Sequence, residues 1–328
     1  MDLLLGSRNN QVRTLEEKLK TLDLYSGPID GIFGGGVESG VKQYQKLHGL
    51  EPDGIVGPET WSSLFPGTPQ PASALEQRPL AERCLALTGA FETTSGFPEC
   101  FAGLAGDFDG EGISFGVLQW NIGQGTLQPL FSQMLQNHPE VMTRIFQENL
   151  SSFSHMLSLS REQQLAWWIA IQSPDKVDIF EPWRGYLLVL GRTSPFQQIQ
   201  MGHSEIIYSD ALLLAREYDL QTERGVALMF DICVQNGRIE PTTKAQIEAD
   251  FARIPDGAGS LEREVSKLRV IANRVAESSR PEYVEDVRMR KLTIADGAGV
   301  VHGMYYDLAS QFAIGLVPAA PPSPLVQT

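Results

Sequence analysis

Apolar residues recur at helical spacing from the first turns of the chain. Val12, Leu15, Leu19 and Leu22 fall on one stripe, and Val37, Val41, Tyr44 and Leu47 on another, the periodicity that lines one face of an α-helix. A third, shorter helix is expected after Pro58, because proline suits a first turn where its missing N–H would have no partner. Trp61, Leu64 and Phe65 would then turn inward. From about residue 80 the pattern is helical almost to the end, with helices expected near 79–93, 126–136, 139–150, 161–172, 204–218, 222–236, 242–253, 259–278 and 281–290. Strand-like alternation is confined mainly to 112–118. The expected fold is mainly α: a small three-helix module joined by a linker to a larger helical domain with one small β-hairpin.

The stretch PGTPQPASALEQRP, from Pro66 to Pro79, is rich in proline and small residues, as a semi-rigid linker is. It divides the chain into a module over 1–66, a linker over 67–79 and a large domain over 80–316. The tail VPAAPPSPLVQT, 317–328, lacks the apolar periodicity to pack and is expected to be disordered.

Composition narrows the functions. Hydrophobic residues make up 42% of the 328, enough for a sizeable core, and the formal charge is −14. Six basic against nine acidic residues up to Pro66 leave most of that charge with the remainder. A strongly acidic chain argues against nucleic acid and anionic membrane surfaces, which call for a basic face. The three cysteines, Cys84, Cys100 and Cys233, show no paired or metal-ligand spacing and read as buried thiols of a chain made in a reducing compartment. One disulfide stays open at this stage. The start MDLLLGSRNN lacks the basic and apolar regions of a secretory signal, and no segment approaches the roughly 20 apolar residues of a membrane span. Action outside the cytoplasm would therefore need a separate release factor.

Within the first segment DGIFG at 30–34 recurs as DGIVG at 53–57. In each, the aspartate is suited to cap the following backbone and the glycine to accept positive φ. The run from Gly27 to Leu64, GPIDGIFGGGVESGVKQYQKLHGLEPDGIVGPETWSSL, resembles the type 1 peptidoglycan-binding domain family. The pair of D-G turns, the Y-Q-K…GL between them and the G-P-x-T-W after them carry the resemblance. It implies a module that binds wall glycan or stem peptide, with Asp30, Tyr44, Asp53 and Trp61 as candidate contacts.

Chemistry concentrates between Leu85 and Phe131. Glu92 closes an apolar helix containing Leu85, Leu87 and Phe91, where desolvation favours a protonated carboxyl, the form a general acid needs. Asp109 follows seventeen residues later in the glycine-rich DFDGEGIS, a setting that keeps a carboxylate wet and ionised. One sheltered and one solvated carboxyl are what glycoside hydrolysis requires. A competing reading takes Asp107, Asp109 and Glu111 as the first half of a calcium loop, but the twelfth position is Leu118 where such a loop has a bidentate glutamate.

The spacing F-E…D-G-x-G-I-S-x-G resembles the chitosanase-like branch of the lysozyme superfamily. That resemblance implies a lysozyme-like domain with Glu92 as general acid, Asp109 as general base and Ser114 orienting the water. FGVLQWN also resembles the G-L-M-Q segment of goose-type lysozymes and lytic transglycosylases, which puts Gln119, Trp120 and Asn121 beside the cleft. ALMFDICVQNG, Ala227 to Gly237, resembles the opposite cleft wall, making Asp231, Gln235 and Asn236 candidate sugar contacts.

Module, linker and catalytic domain in this order resemble a modular phage endolysin. The function expected is a muramidase that needs no cofactor or metal, with peptidoglycan as partner, acting as a monomer in the periplasm after synthesis in the host cytoplasm. A lytic transglycosylase, a chitosanase and a non-catalytic wall-binding protein with a calcium turn are the alternatives. Trp167 and Trp168 read as core and cleft wall, and His302 as structural. No H-E-x-x-H or zinc-ligand pattern occurs, which speaks against an amidase or endopeptidase.

Overall fold

The computed structural model describes residues 3–7, 10–69, 75–107, 110–255 and 259–319. In chain order come α1 (Asn10–Thr21), α2 (Gly35–Leu47), α3 (Pro58–Leu64) and α4 (Leu80–Thr93), then β1 (Leu104–Ala105), β2 (Ser114–Phe115) and β3 (Trp120–Asn121). The helices α5 (Gln128–Asn137), α6 (Pro139–Phe146), α7 (Leu150–Ser158), α8 (Arg161–Ala170), α9 (Trp183–Gly191) and α10 (Ser194–Glu217) follow. Last are α11 (Glu223–Gln235), α12 (Pro241–Phe251), α13 (Ser260–Glu277), α14 (Val284–Asp296), β4 (Ala298–Val301), β5 (Met304–Asp307) and α15 (Leu308–Phe312). The fold is mainly helical, as the periodicity predicts. Two compact units divide it, Met1–Leu87 with Ile207–Thr328, and Thr88–Ile206.

The first unit begins with α1–α3. Val12, Leu15, Leu19, Phe33, Val37, Val41, Tyr44, Val56, Trp61 and Leu64 form one buried cluster. Both stripes run off the core at their ends: Leu22 lies just past α1, Leu47 is the last residue of α2, and both are exposed. The two D-G turns are built alike. Asp30 Oδ1 accepts from Ile32 N at 2.9 Å and Asp53 Oδ1 from Ile55 N at 2.7 Å, while Gly31 and Gly54 sit at φ 79° and 82°, where any side chain would be strained. A side chain from the preceding helix accepts each glycine N–H: Glu16 Oε2 at 2.8 Å from Gly31 and Gln45 Oε1 at 2.9 Å from Gly54.

Later in this unit α11, α13 and α14 pack together, and β4 and β5 form a hairpin whose turn is His302 and Gly303, both at positive φ. This hairpin is additional to the single one expected. The backbone of Val317 to Ala319 pairs with Gln221 to Glu223 through Glu223 N to Val317 O and Ala319 N to Gln221 O. The segment expected to be disordered from Val317 is therefore held as far as Ala319, and 320–328 lie outside the described residues.

In the second unit the expected strand is the centre of a three-stranded antiparallel sheet, order β1-β2-β3, with Leu104 opposite Phe115 and Ser114 opposite Asn121. Phe115 stacks on Phe196 and on Phe131, at ring separations of 5.5 and 6.1 Å. Trp168 is fully buried, and Trp167 packs edge-on against Trp183 at 4.7 Å. The helices α7 and α9 and the first half of α10 are additions to the sequence reading.

Candidate active site

The candidate site lies in the second unit, where the last turn of α4 meets the small sheet. Glu92, half-buried, is the penultimate residue of that helix. Glycine makes the approach possible at two points. A Cβ on Gly89 would overlap Val117 Cγ2, and one on Gly103 would overlap Thr93 Cγ2. The helix end carrying Glu92 is thus docked directly on the β2–β3 turn and on the residue preceding β1.

Asp107 anchors the loop that joins β1 to β2. It is 1% exposed, its Oδ1 accepts from Gly112 N at 2.8 Å, and its Oδ2 accepts from Lys176 Nζ at 3.2 Å. The Asp107 amide donates to Gln172 Oε1 at 2.8 Å, and Gln172 Nε2 donates to Trp168 O at 3.0 Å. A carboxylate so engaged points into the protein, which removes the first ligand that the calcium reading requires. Among the described residues no group of three or more His, Cys, Asp or Glu side chains is arranged to hold a metal. Asp109, the expected base, lies outside the described residues.

Ser114 and Asn121 face each other across β2 and β3, and Asn121 Nδ2 donates to Ser114 Oγ and to Gly112 O, each at 3.1 Å. Asn121 is buried, so it acts as a brace that fixes the Ser114 hydroxyl and closes the loop. Gln119, at φ 50°, donates from Nε2 to Gly103 O and Gly116 O. Trp120 is buried beside it. Sequence reasoning missed Gln200 of α10, fully buried, whose Oε1 accepts from Val117 N at 2.8 Å while its Nε2 donates to Phe101 O at 3.0 Å. A polar residue on an otherwise apolar helical face is the signal that would have found it.

Three of the expected sugar contacts belong to the first unit. Asp231 is completely buried, with Arg290 Nη2 at 2.6 Å and Lys291 Nζ at 2.5 Å. Burial alone would raise its pKa, but Arg290 and Lys291 outweigh that and hold it at about 2. Asp231 therefore joins α11 to α14 and cannot touch a sugar, which corrects the sequence reading. Gln235 belongs to the same network, its Oε1 accepting from Lys291 Nζ at 2.7 Å. Asn236 caps α11, with Oδ1 buried and lacking a hydrogen-bond partner among the described residues.

The module contacts need a similar correction. Tyr44 and Trp61 are core residues, with Tyr44 Oη 2.9 Å from Ser63 Oγ. Asp30 and Asp53 are exposed, and each has Oδ1 committed to its own turn.

Residues 8–64 match the family described as "Putative peptidoglycan binding domain". The N-terminal module carries that family's pattern. An N-acetylmuramoyl-L-alanine amidase of Mycobacterium tuberculosis is 43% identical over 56 residues, 17% of this chain and 14% of that protein. A spore cortex-lytic enzyme of Halalkalibacterium halodurans is 37% identical over 59 residues, 18% of each. The matched stretch thus spans less than a fifth of these two relatives. Among solved structures, a complex of the Gynuella sunshinyii GH46 chitosanase with chitotetraose aligns over 69% of this chain and 88% of that one, at 16% identity and a TM-score of 0.43. At that score the likeness fixes no residue correspondence. No described helix is long and apolar enough to cross a membrane.

Proposed function

We propose that this chain is a peptidoglycan hydrolase of the muramidase type, cleaving the β-1,4 bond between N-acetylmuramic acid and N-acetylglucosamine. Glu92 protonates the leaving oxygen, Asp109 activates the attacking water, and Ser114, held by Asn121, orients that water. The observation that carries this reading is the glycine-mediated docking of the Glu92 helix end on the sheet that holds Ser114. The peptidoglycan-binding family match over 8–64 supports peptidoglycan as the substrate class. Module, linker and catalytic domain together form an endolysin that works as a monomer. It is made in the cytoplasm of an infected host and acts on the wall in the periplasm. No metal or cofactor enters the reaction as written.

The test is the chemistry of the new glycan ends. Digested wall analysed by mass spectrometry should show reducing N-acetylmuramic acid ends; anhydro-muramic ends would make the enzyme a lytic transglycosylase. Asp109→Asn should nearly silence the hydrolase, whereas a transglycosylase would keep most of its activity. Glu92→Gln should lower clearing of permeabilised Gram-negative cells by about 10²–10⁴-fold, the usual contribution of a general acid, while binding to isolated sacculi persists. Full activity of Glu92→Gln would refute the assignment.

A further inference from the structure

One residue beyond Glu92, Thr93 opens onto a cavity of about 430 Å³ within the second unit, a size in the range of small-ligand pockets. Ala102, Leu104, Ile179 and Leu188 are the apolar part of its lining. Its rim carries charges of both signs. Arg184 and Arg192 come from α9 and its C-cap, Glu99 from the 3-10 turn Glu99–Ala102, and Asp178 from the segment before α9. Arg192, Glu99 and Asp178 make no side-chain hydrogen bond or ion pair among the described residues, and Arg184 reaches only Glu181 Oε1, at 3.8 Å. Four charged groups lining one largely polar cavity are thus uncommitted or loosely paired.

Neutral sugar rings are bound by stacking and by hydroxyl and amide hydrogen bonds, and the lactyl carboxylate of peptide-free muramic acid would engage only the guanidinium side of such a rim, leaving its carboxylates unanswered. A ligand bearing carboxylates and an ammonium together answers both. Guanidinium groups bind carboxylates in a forked, two-bond geometry, and two carboxylates at the same rim suit an amine. In peptidoglycan those groups are found on the peptide stem, which hangs from the muramic acid next to the scissile bond.

We infer that the cavity beside Thr93 is a subsite for the peptide stem of peptidoglycan, taking a stem carboxylate on Arg184 and Arg192 and a stem amine on Glu99 and Asp178. The inference rests on the peptidoglycan reading above. It adds a peptide requirement to an enzyme otherwise defined by its glycan bond, and it explains why the rim is of mixed sign in so acidic a chain.

The experiment titrates the free tetrapeptide stem, containing diaminopimelate, into the full-length protein by calorimetry. In parallel, cleavage rates are compared on stem-bearing glycan and on glycan stripped of its peptides by an amidase. The double variant Arg184→Ala/Arg192→Ala should weaken stem binding about tenfold, within reach of losing charge-assisted hydrogen bonds at an exposed rim. It should also lower the ratio of the stem-bearing to the stripped rate by a similar factor. Arg184→Lys/Arg192→Lys, which keeps the charge and loses the fork, should recover part of both effects. Both positions are exposed, so circular dichroism should show the fold retained. Stem binding as tight in the double alanine variant as in the wild type would overturn the subsite, even if stripped glycan is still cleaved and the muramidase reading stands. If the wild type cleaves neither glycan, that reading falls, and the binding comparison alone decides the subsite.

Discussion

Lys176 Nζ lies 3.2 Å from Asp107 Oδ2, joining a cation at the surface to a carboxylate that is almost wholly buried. The other carboxylate oxygen holds Gly112 N, so one side chain both closes the β1–β2 loop and ties it to residues before α9. Asp107→Ala would leave the Gly112 amide and the Lys176 ammonium without this partner. Loss of about 2–4 kcal/mol is expected, read from denaturant unfolding, and the proposed wall-lytic activity should fall with it, because Asp109, the proposed base, follows two residues later in the chain. Asp107→Asn keeps an acceptor for Gly112 and should cost less than half as much.

The contact between Gly89 and Val117 sets how closely α4 approaches the sheet. Gly89→Ala places a methyl where Val117 Cγ2 already stands, and overpacking of this kind costs about 1–3 kcal/mol. The helix end must also shift relative to Ser114, so kcat should drop while binding to sacculi is retained. Adding Val117→Ala makes room for the methyl. The double variant should recover part of the lost activity, and a double-mutant cycle measures the coupling.

Asp231 gives the first unit an acid-sensitive joint. With Arg290 and Lys291 holding it at about 2, against about 3.9 for an unfolded aspartate, its carboxylate stabilises the fold fully above pH 4. That contribution, about 2 kcal/mol, is lost as pH falls from 4 towards 2. The melting temperature should decline over that window, and Asp231→Asn should flatten this part of the curve. Asp231→Ala should be more damaging at neutral pH, by about 3–5 kcal/mol, because two buried cations lose their counterion.

Glu16 behaves in the opposite sense. It is fully buried, its Oε1 lacks a hydrogen-bond partner among the described residues, and burial, together with Asp30, raises its pKa above the ordinary 4.5. A raised carboxyl pKa favours folding below 4.5 and costs stability as pH rises from there through the folded value. The second D-G turn shows the alternative: Gln45 accepts from Gly54 N and donates to Asp53 Oδ1 at 2.8 Å. Glu16→Gln supplies the same pair of bonds at the first turn. It should raise stability at pH 7 by about 1 kcal/mol and remove this pH dependence, both visible in thermal melts of the full chain.

Local pattern carried the helices well. The stripe Val12, Leu15, Leu19 needed only its own spacing to be read, and the D-G turns declared their geometry through aspartate and glycine. The β4–β5 hairpin was missed because its two-residue turn is His302-Gly303 where asparagine or aspartate more often precedes the glycine. Asp231 misled for a physical reason. A carboxylate on an apolar helix looks functional until its counterions are known, and Arg290 and Lys291 lie about sixty residues further on. Gln200 and Lys176 were equally hidden, since nothing near Val117 or Asp107 in the chain names their partners.

The hairpin's backbone is answered by amide side chains borrowed from α10 and from the residue two past α8: Gln200 takes the Val117 amide and Gln172 that of Asp107. Chimeras with other proteins should therefore exchange Thr88–Ile206 as one cassette. A graft limited to the stretch from Glu92 to Asn121 would carry Glu92 and Ser114 into a host lacking the two glutamines, and the transplanted loop would lose its shape.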